Sequence, residues 1–154
     1  MKDKVRRIAS DNEYLHKDFH MALNNGLEYL EKKYGSDAVT EYISDFAKAY
    51  HAPLKADLQK RGLPAVRDYL EKIYAAEKNP ILITISEDEL IAETDKCPAV
   101  EHIIKNGSKP HPLYSETANT KYTEICRNTS YAFELLEYDS ETGRSKMRFY
   151  RRQA

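Results

Sequence analysis

The chain has 154 residues, 24 basic against 25 acidic side chains for a net charge of −1, and 41% hydrophobic with 32% charged residues. That length is enough for one packed core without metal or disulfide staples, and the balance is that of a globular domain rather than a disordered chain. Charges of both signs are spread along the whole length, leaving no basic footprint for nucleic acid, and no apolar run approaches the roughly 18 residues of a membrane span. The expectation is a single α+β domain over residues 1–154, cytoplasmic, with a small-molecule partner and no nucleic-acid or membrane partner. Met1 to Arg7 is charged and lacks the apolar stretch of a secretory signal. The two cysteines, Cys97 and Cys126, read as free thiols of a reducing compartment. Twelve Tyr, four Phe and no Trp place amphipathic rings under the helices, with hydroxyls that need partners or water.

From Ser10 to Tyr34, Leu15, Phe19, Leu23, Leu27, Leu30 and Tyr34 recur at helical spacing, and Gly35 suits the end of that helix. Ser36 and Asp37 can cap a second helix carrying Val39, Tyr42, Ile43, Phe46 and Tyr50, which should stop near His51-Ala52-Pro53. A short third helix holds Leu54 and Leu58 and closes at Gly62. Pro64 suits the first turn of a fourth, with Val66, Tyr69, Leu70 and Ile73 on one side. At Pro80 the period changes to alternation. Residues 81–85 and 90–94 form a hairpin around Ser86-Glu87-Asp88-Glu89. Cys97-Pro98 opens a short helix that Gly107 ends, and another runs to about Cys126 after the Pro110-His111-Pro112 break. A second hairpin closes the chain, with strands 131–138 and 144–151 around Asp139 to Gly143. The expected architecture is a helical N-terminal half packed on a four-stranded antiparallel sheet, made of two hairpins with helices between them.

His16 and His20 lie four residues apart on the first helix, so both rings project from one face and can share a metal or a substrate. The plainer alternative is two histidines bordering the core. Zinc would need further ligands; His51, Cys97 and Cys126 are suitable in kind, no spacing selects them, and no retained metal is expected. Cys97 precedes a proline suited to the first helical position, which makes it the N-cap, where free N–H groups and the helix dipole favour a thiolate. Val100 and Ile104 on its side of the helix turn the sulfur toward the core; the plainer alternative is a small buried hydrophobe. Cys126 lies beside a packing face of Tyr114, Ala118, Tyr122 and Ile125. His102 and His111 read as surface residues. In the last strand Arg144, Lys146 and Arg148 share one face while Ser145, Met147 and Phe149 share the other. The charged face is either a solvated edge or, at Arg148, an anchor for a small carboxylate. No Gly-rich phosphate loop, G-x-S-x-G, H-E-x-x-H or C-x-x-C occurs, so no cofactor is expected.

The segment from Cys97-Pro98-Ala99-Val100 through Cys126 to Gly143-Arg144-Ser145-Lys146-Met147-Arg148-Phe149 resembles the small bacterial family of L-2-amino-thiazoline-4-carboxylic acid hydrolase-like proteins. The resemblance implies an α+β domain and opening of a cyclic C=N ring that bears a carboxylate. Cys97 matches the family's Cys-Pro pair. Where the family pattern has a further cysteine and then an acidic residue at the start of the last strand, this chain has Ser145 and Lys146.

Together these residues suggest a small-molecule hydrolase-like enzyme with a pocket between the first helix and the sheet. In it Cys97 is nucleophile or polar anchor, His16 or His20 is general base, Arg148 holds a substrate carboxylate and Tyr122 lines the pocket. The alternative is a binding or sensor domain that uses the same Tyr-lined pocket without turnover. A metal site on His16 and His20 is compatible with either.

Overall fold

The computed structural model describes the backbone of residues 15–154 and the side chains from Phe19 onward. The expected helical start at Ser10 to Tyr14 and the side chain of His16 therefore lie outside the described residues. Helix α1 (Leu15–Tyr34) ends at Gly35, whose φ of +90° suits glycine and whose N–H closes on the Glu31 carbonyl at 2.9 Å. Gly35 also holds the N-cap position of α2 (Ser36–Tyr50), so neither Ser36 nor Asp37 caps it through a side chain. Pro53 and Pro64 stand in the first turns of α3 (Ala52–Arg61) and α4 (Leu63–Ala76), where a missing N–H breaks no helical bond.

Strands β1 (Leu82–Ile85), β2 (Glu89–Thr94), β3 (Tyr131–Tyr138) and β4 (Ser145–Arg151) form one antiparallel sheet in the order β1-β2-β4-β3. The two hairpins are joined by β2 and β4, paired from Glu89 opposite Tyr150 to Thr94 opposite Ser145. Leu90, Ala92, Met147 and Phe149 are buried on the inner face. Helix α4 packs over β1 and β2, and α6 (Glu116–Cys126) over β3. Between Leu135 and Glu137 the β3–β4 register slips by one residue. This bulge turns Tyr138 onto the inner face opposite Ser145, where unbroken alternation from Leu135 would have placed Glu137.

Two apolar clusters result. One joins the sheet to α3, α4 and α6, with Phe149, Leu70 and Leu58 fully buried. The other joins α1 and α2 to α5 (Pro98–Lys105) through Leu27, Val39, Ile43, Val100 and Ile103. Helix α1 thus packs chiefly on α2 and α5, and the sheet is covered by α4 and α6, not by α1 as the expected pocket between α1 and the sheet required. On α5 the core residue is Ile103; Ile104 is 48% exposed.

His111 is buried, which corrects the surface reading. The Asn24 side chain donates to the Lys109 carbonyl and accepts the His111 N–H at 2.8 Å, binding the Pro-His-Pro segment to α1. The imidazole then bonds Glu31 at 2.7 Å and accepts the Leu113 N–H.

The junction of the two clusters is held by the connection between β2 and α5. Asn79, just after α4, donates to Thr94 Oγ1 and to the Lys96 carbonyl, and Thr94 Oγ1 donates to that same carbonyl at 2.8 Å. The Cys97 N–H donates to the Thr142 carbonyl at 2.9 Å. Gly143, buried at φ +71°, lies so close that a Cβ there would overlap the Cβ of Cys97 and reach Val100 at 3.0 Å. Gly143→Ala should therefore destabilise the fold by about 2–4 kcal/mol, combining left-handed backbone strain with overpacking. Urea unfolding measures this, and a loss no larger than that of Ala at the exposed Ser140 would contradict the packing described.

Candidate functional site

Cys97 occupies the N-cap of α5 with extended backbone angles, and Pro98 begins the helix, as its sequence position implies. Its thiol, however, is not an exposed thiolate. Burial pushes the Cys97 pKa up, and the opposing pull of the Val100 and Ala99 N–H groups and of Lys121 is weaker. Neither amide closes a capping hydrogen bond to the sulfur. The expected N-cap effect is present but is outweighed by desolvation, because a thiolate gains less from two imperfect donors than it loses in leaving water. Cys126 is fully buried among apolar side chains and its thiol is pushed up to about 12.

Around Cys97 the fold gathers tyrosines from four parts of the chain: Tyr74 near the end of α4, Tyr114 before α6, Tyr122 within α6 and Tyr138 at the bulged end of β3. Burial raises the pKa of all four, and each would be raised further by a Cys97 thiolate. For Tyr138 the result is about 12. At neutral pH the group is thus uncharged and rich in O–H. None of these four hydroxyls has a hydrogen-bond partner among the described residues, and none is sealed from solvent. Tyr122 is held in place by its ring, packed 5.1 Å from Phe149 and 5.2 Å from Phe133.

Two charged groups border the tyrosines. Glu77, at the end of α4, accepts from or is paired with His20 Nε2 at 3.1 Å, tying α1 to α4. Lys121 lies one residue before Tyr122, half-buried, with its ammonium 4.3 Å from the Tyr122 ring centroid. Its charge reaches His51, whose pKa falls to about 4, by burial first and by Lys121 second. His51 in turn packs edge-on against Tyr69 and Tyr50.

Of the residues singled out in the sequence, Cys97 and Tyr122 come together here, and His20 approaches through Glu77. His16 has no described side chain. Arg148 is not part of the group. It lies on the outer face of the sheet, opposite the face that carries Phe149, where Nε bonds Glu89 at 2.6 Å and the guanidinium stacks 4.4 Å over Tyr150. Its carboxylate partners are already supplied by β2 and β3. Among the described residues no three His, Cys, Asp or Glu side chains converge on a metal-sized space, and no helix is long and apolar enough to cross a membrane. Lys121, Glu77, Tyr74 and Tyr138 were not singled out in the sequence, and Tyr114 was read only as part of a packing face. The abundance of Tyr was the one available signal. No protein-family model matches the chain, and no curated protein is significantly similar to it.

Two outcomes follow from this electrostatic environment. Between about pH 6 and 9, native Cys97 should alkylate more slowly than in denaturant and titrate above an ordinary thiol; site-resolved mass spectrometry reads both, and a native Cys97 faster than the denatured one would overturn the burial argument. For His51 the folded pKa of about 4 lies below the ordinary 6.5, so the unfolded chain binds the proton first. The stability due to the neutral ring is fully present above pH 6.5 and is lost as pH falls toward 4. His51→Phe should flatten that part of the curve of urea midpoint against pH, and an unchanged slope would assign the acid loss to other groups.

Proposed function

We propose that the chain is a small-molecule binding domain whose ligand lies against the group of tyrosines beside Cys97. The observation that carries this reading is the set of hydroxyls on Tyr74, Tyr114, Tyr122 and Tyr138, which have no hydrogen-bond partner among the described residues. Polar groups placed between two apolar clusters cost stability unless something bonds to them. A ligand with a flat apolar body and polar edges matches such a lining, with rings for contact and hydroxyls for orientation.

A second reading is hydrolysis of a cyclic C=N compound, as the resemblance of the Cys97-Pro98 region to the thiazoline-carboxylate hydrolases implies. One observation favours it: the Val100 and Ala99 N–H groups lower the Cys97 pKa and lie where they would stabilise a developing negative charge. In that reading His20, held by Glu77, is the base. The raised thiol pKa and the lack of a side-chain hydrogen bond to the sulfur among the described residues favour binding without turnover.

Saturation-transfer NMR with a set of small aromatic and heterocyclic compounds tests the binding reading. Binders should lose about two- to twelvefold in affinity in Tyr122→Phe and in Tyr114→Phe, the scale of one hydrogen bond each. If no compound binds, or if both variants bind every hit unchanged, the tyrosine site is not the binding site. Incubation with L-2-amino-thiazoline-4-carboxylic acid separates the two readings: a product heavier by one water, formed by the native chain and absent with Cys97→Ala, would replace binding by hydrolysis.

A further inference from the structure

We propose that Lys121 is the specificity-determining anchor of this site and that it selects an anionic ligand, a small organic acid bound through its carboxylate. This rests on the binding reading above and names the ligand's charge. Lys121 stands on α6 with its ammonium over the Tyr122 ring at 4.3 Å. That ring is its one partner among the described residues. The carboxylate that helical spacing would offer it, Glu124 three residues on, is turned away: it accepts from Ser44 Oγ at 3.0 Å and pairs with Arg127 at 2.9 Å. Glu77, the carboxylate nearer to Cys97, is engaged by His20.

The ammonium's place is fixed by its contact with the Tyr122 ring, and its charge also bears on His51, Tyr69 and Cys97, lowering the pKa of each. The group therefore combines a positive charge that pairs with no carboxylate among the described residues with several phenolic O–H donors. A carboxylate complements both, accepting from hydroxyls while pairing with the ammonium; a neutral amide of the same shape brings N–H donors and no charge. Arg148, the cation that the sequence suggested for this task, is bound by Glu89 and Glu134 on the far face of the sheet.

The test uses the full chain and two probes of equal shape, benzoate and benzamide, followed by the ring resonances of labelled tyrosines. The native protein should prefer benzoate by about tenfold or more, the scale of one charge-assisted hydrogen bond. Lys121→Met keeps an apolar stem over Tyr122 and should bring the two affinities together, Lys121→Arg should retain the preference, and Arg148→Gln should not alter it. Thermal unfolding of each variant confirms that it is folded, and the arginine variant keeps the comparison valid should the methionine variant unfold. Equal native affinities, or a benzoate preference that survives in Lys121→Met, would overturn the assignment to Lys121 while leaving the binding reading intact. Failure of both probes to move any tyrosine resonance would remove the binding reading and the anchor with it.

Discussion

Gly143 lies against the Cβ of Cys97, and the start of α5 reaches the sheet only because no side chain stands between them. That contact, with the bond from the Cys97 N–H to the Thr142 carbonyl, sets where α5 begins relative to the β3–β4 loop. Everything that gives Cys97 its character depends on it. The Asn79–Thr94–Lys96 bonds bring the end of α4 to the same place, and with it Tyr74 and Glu77. The residues nearest the thiol are thus supplied by segments separated by up to about half the chain, and they converge because two short polar connections cross between the apolar clusters.

The site lies where the two clusters meet, and this determines its chemistry. A thiol and phenols packed largely among side chains remain protonated, since low-dielectric surroundings penalise the charged form. The same surroundings lengthen the reach of the Lys121 ammonium, which bears on both His51 and Cys97. A cysteine at a helix N-terminus is commonly read as reactive from the dipole alone. Here the competing desolvation is larger, and the thiol stays protonated.

The outer face of the sheet shows the opposite regime. Lys146 pairs with Glu93, and Arg148 with Glu89 and Glu134, across neighbouring strands in contact with water. Such exposed pairs contribute little to stability but keep an uncovered sheet face polar. The alternation of β4 had already separated Arg148 from Met147 and Phe149. What remained open was which of the two faces the helices cover, and the aromatic packing of Phe149 with Tyr122 and Phe133 decides that.

Helix and strand periods, the Gly and Pro stops, the α+β class and the N-cap position of Cys97 were all legible in the sequence, because each depends on backbone and side-chain preferences within a few neighbouring residues. The pairing of β2 with β4, the one-residue bulge that turns Tyr138 inward, the burial of His111 and the isolation of Lys121 from Glu124 were decided only in the tertiary structure. These depend on groups far apart in the chain. A local pattern specifies which side chains share a face, whereas the protonation of a thiol or the freedom of an ammonium is set by what is packed against that face, and that is a property of the assembled fold.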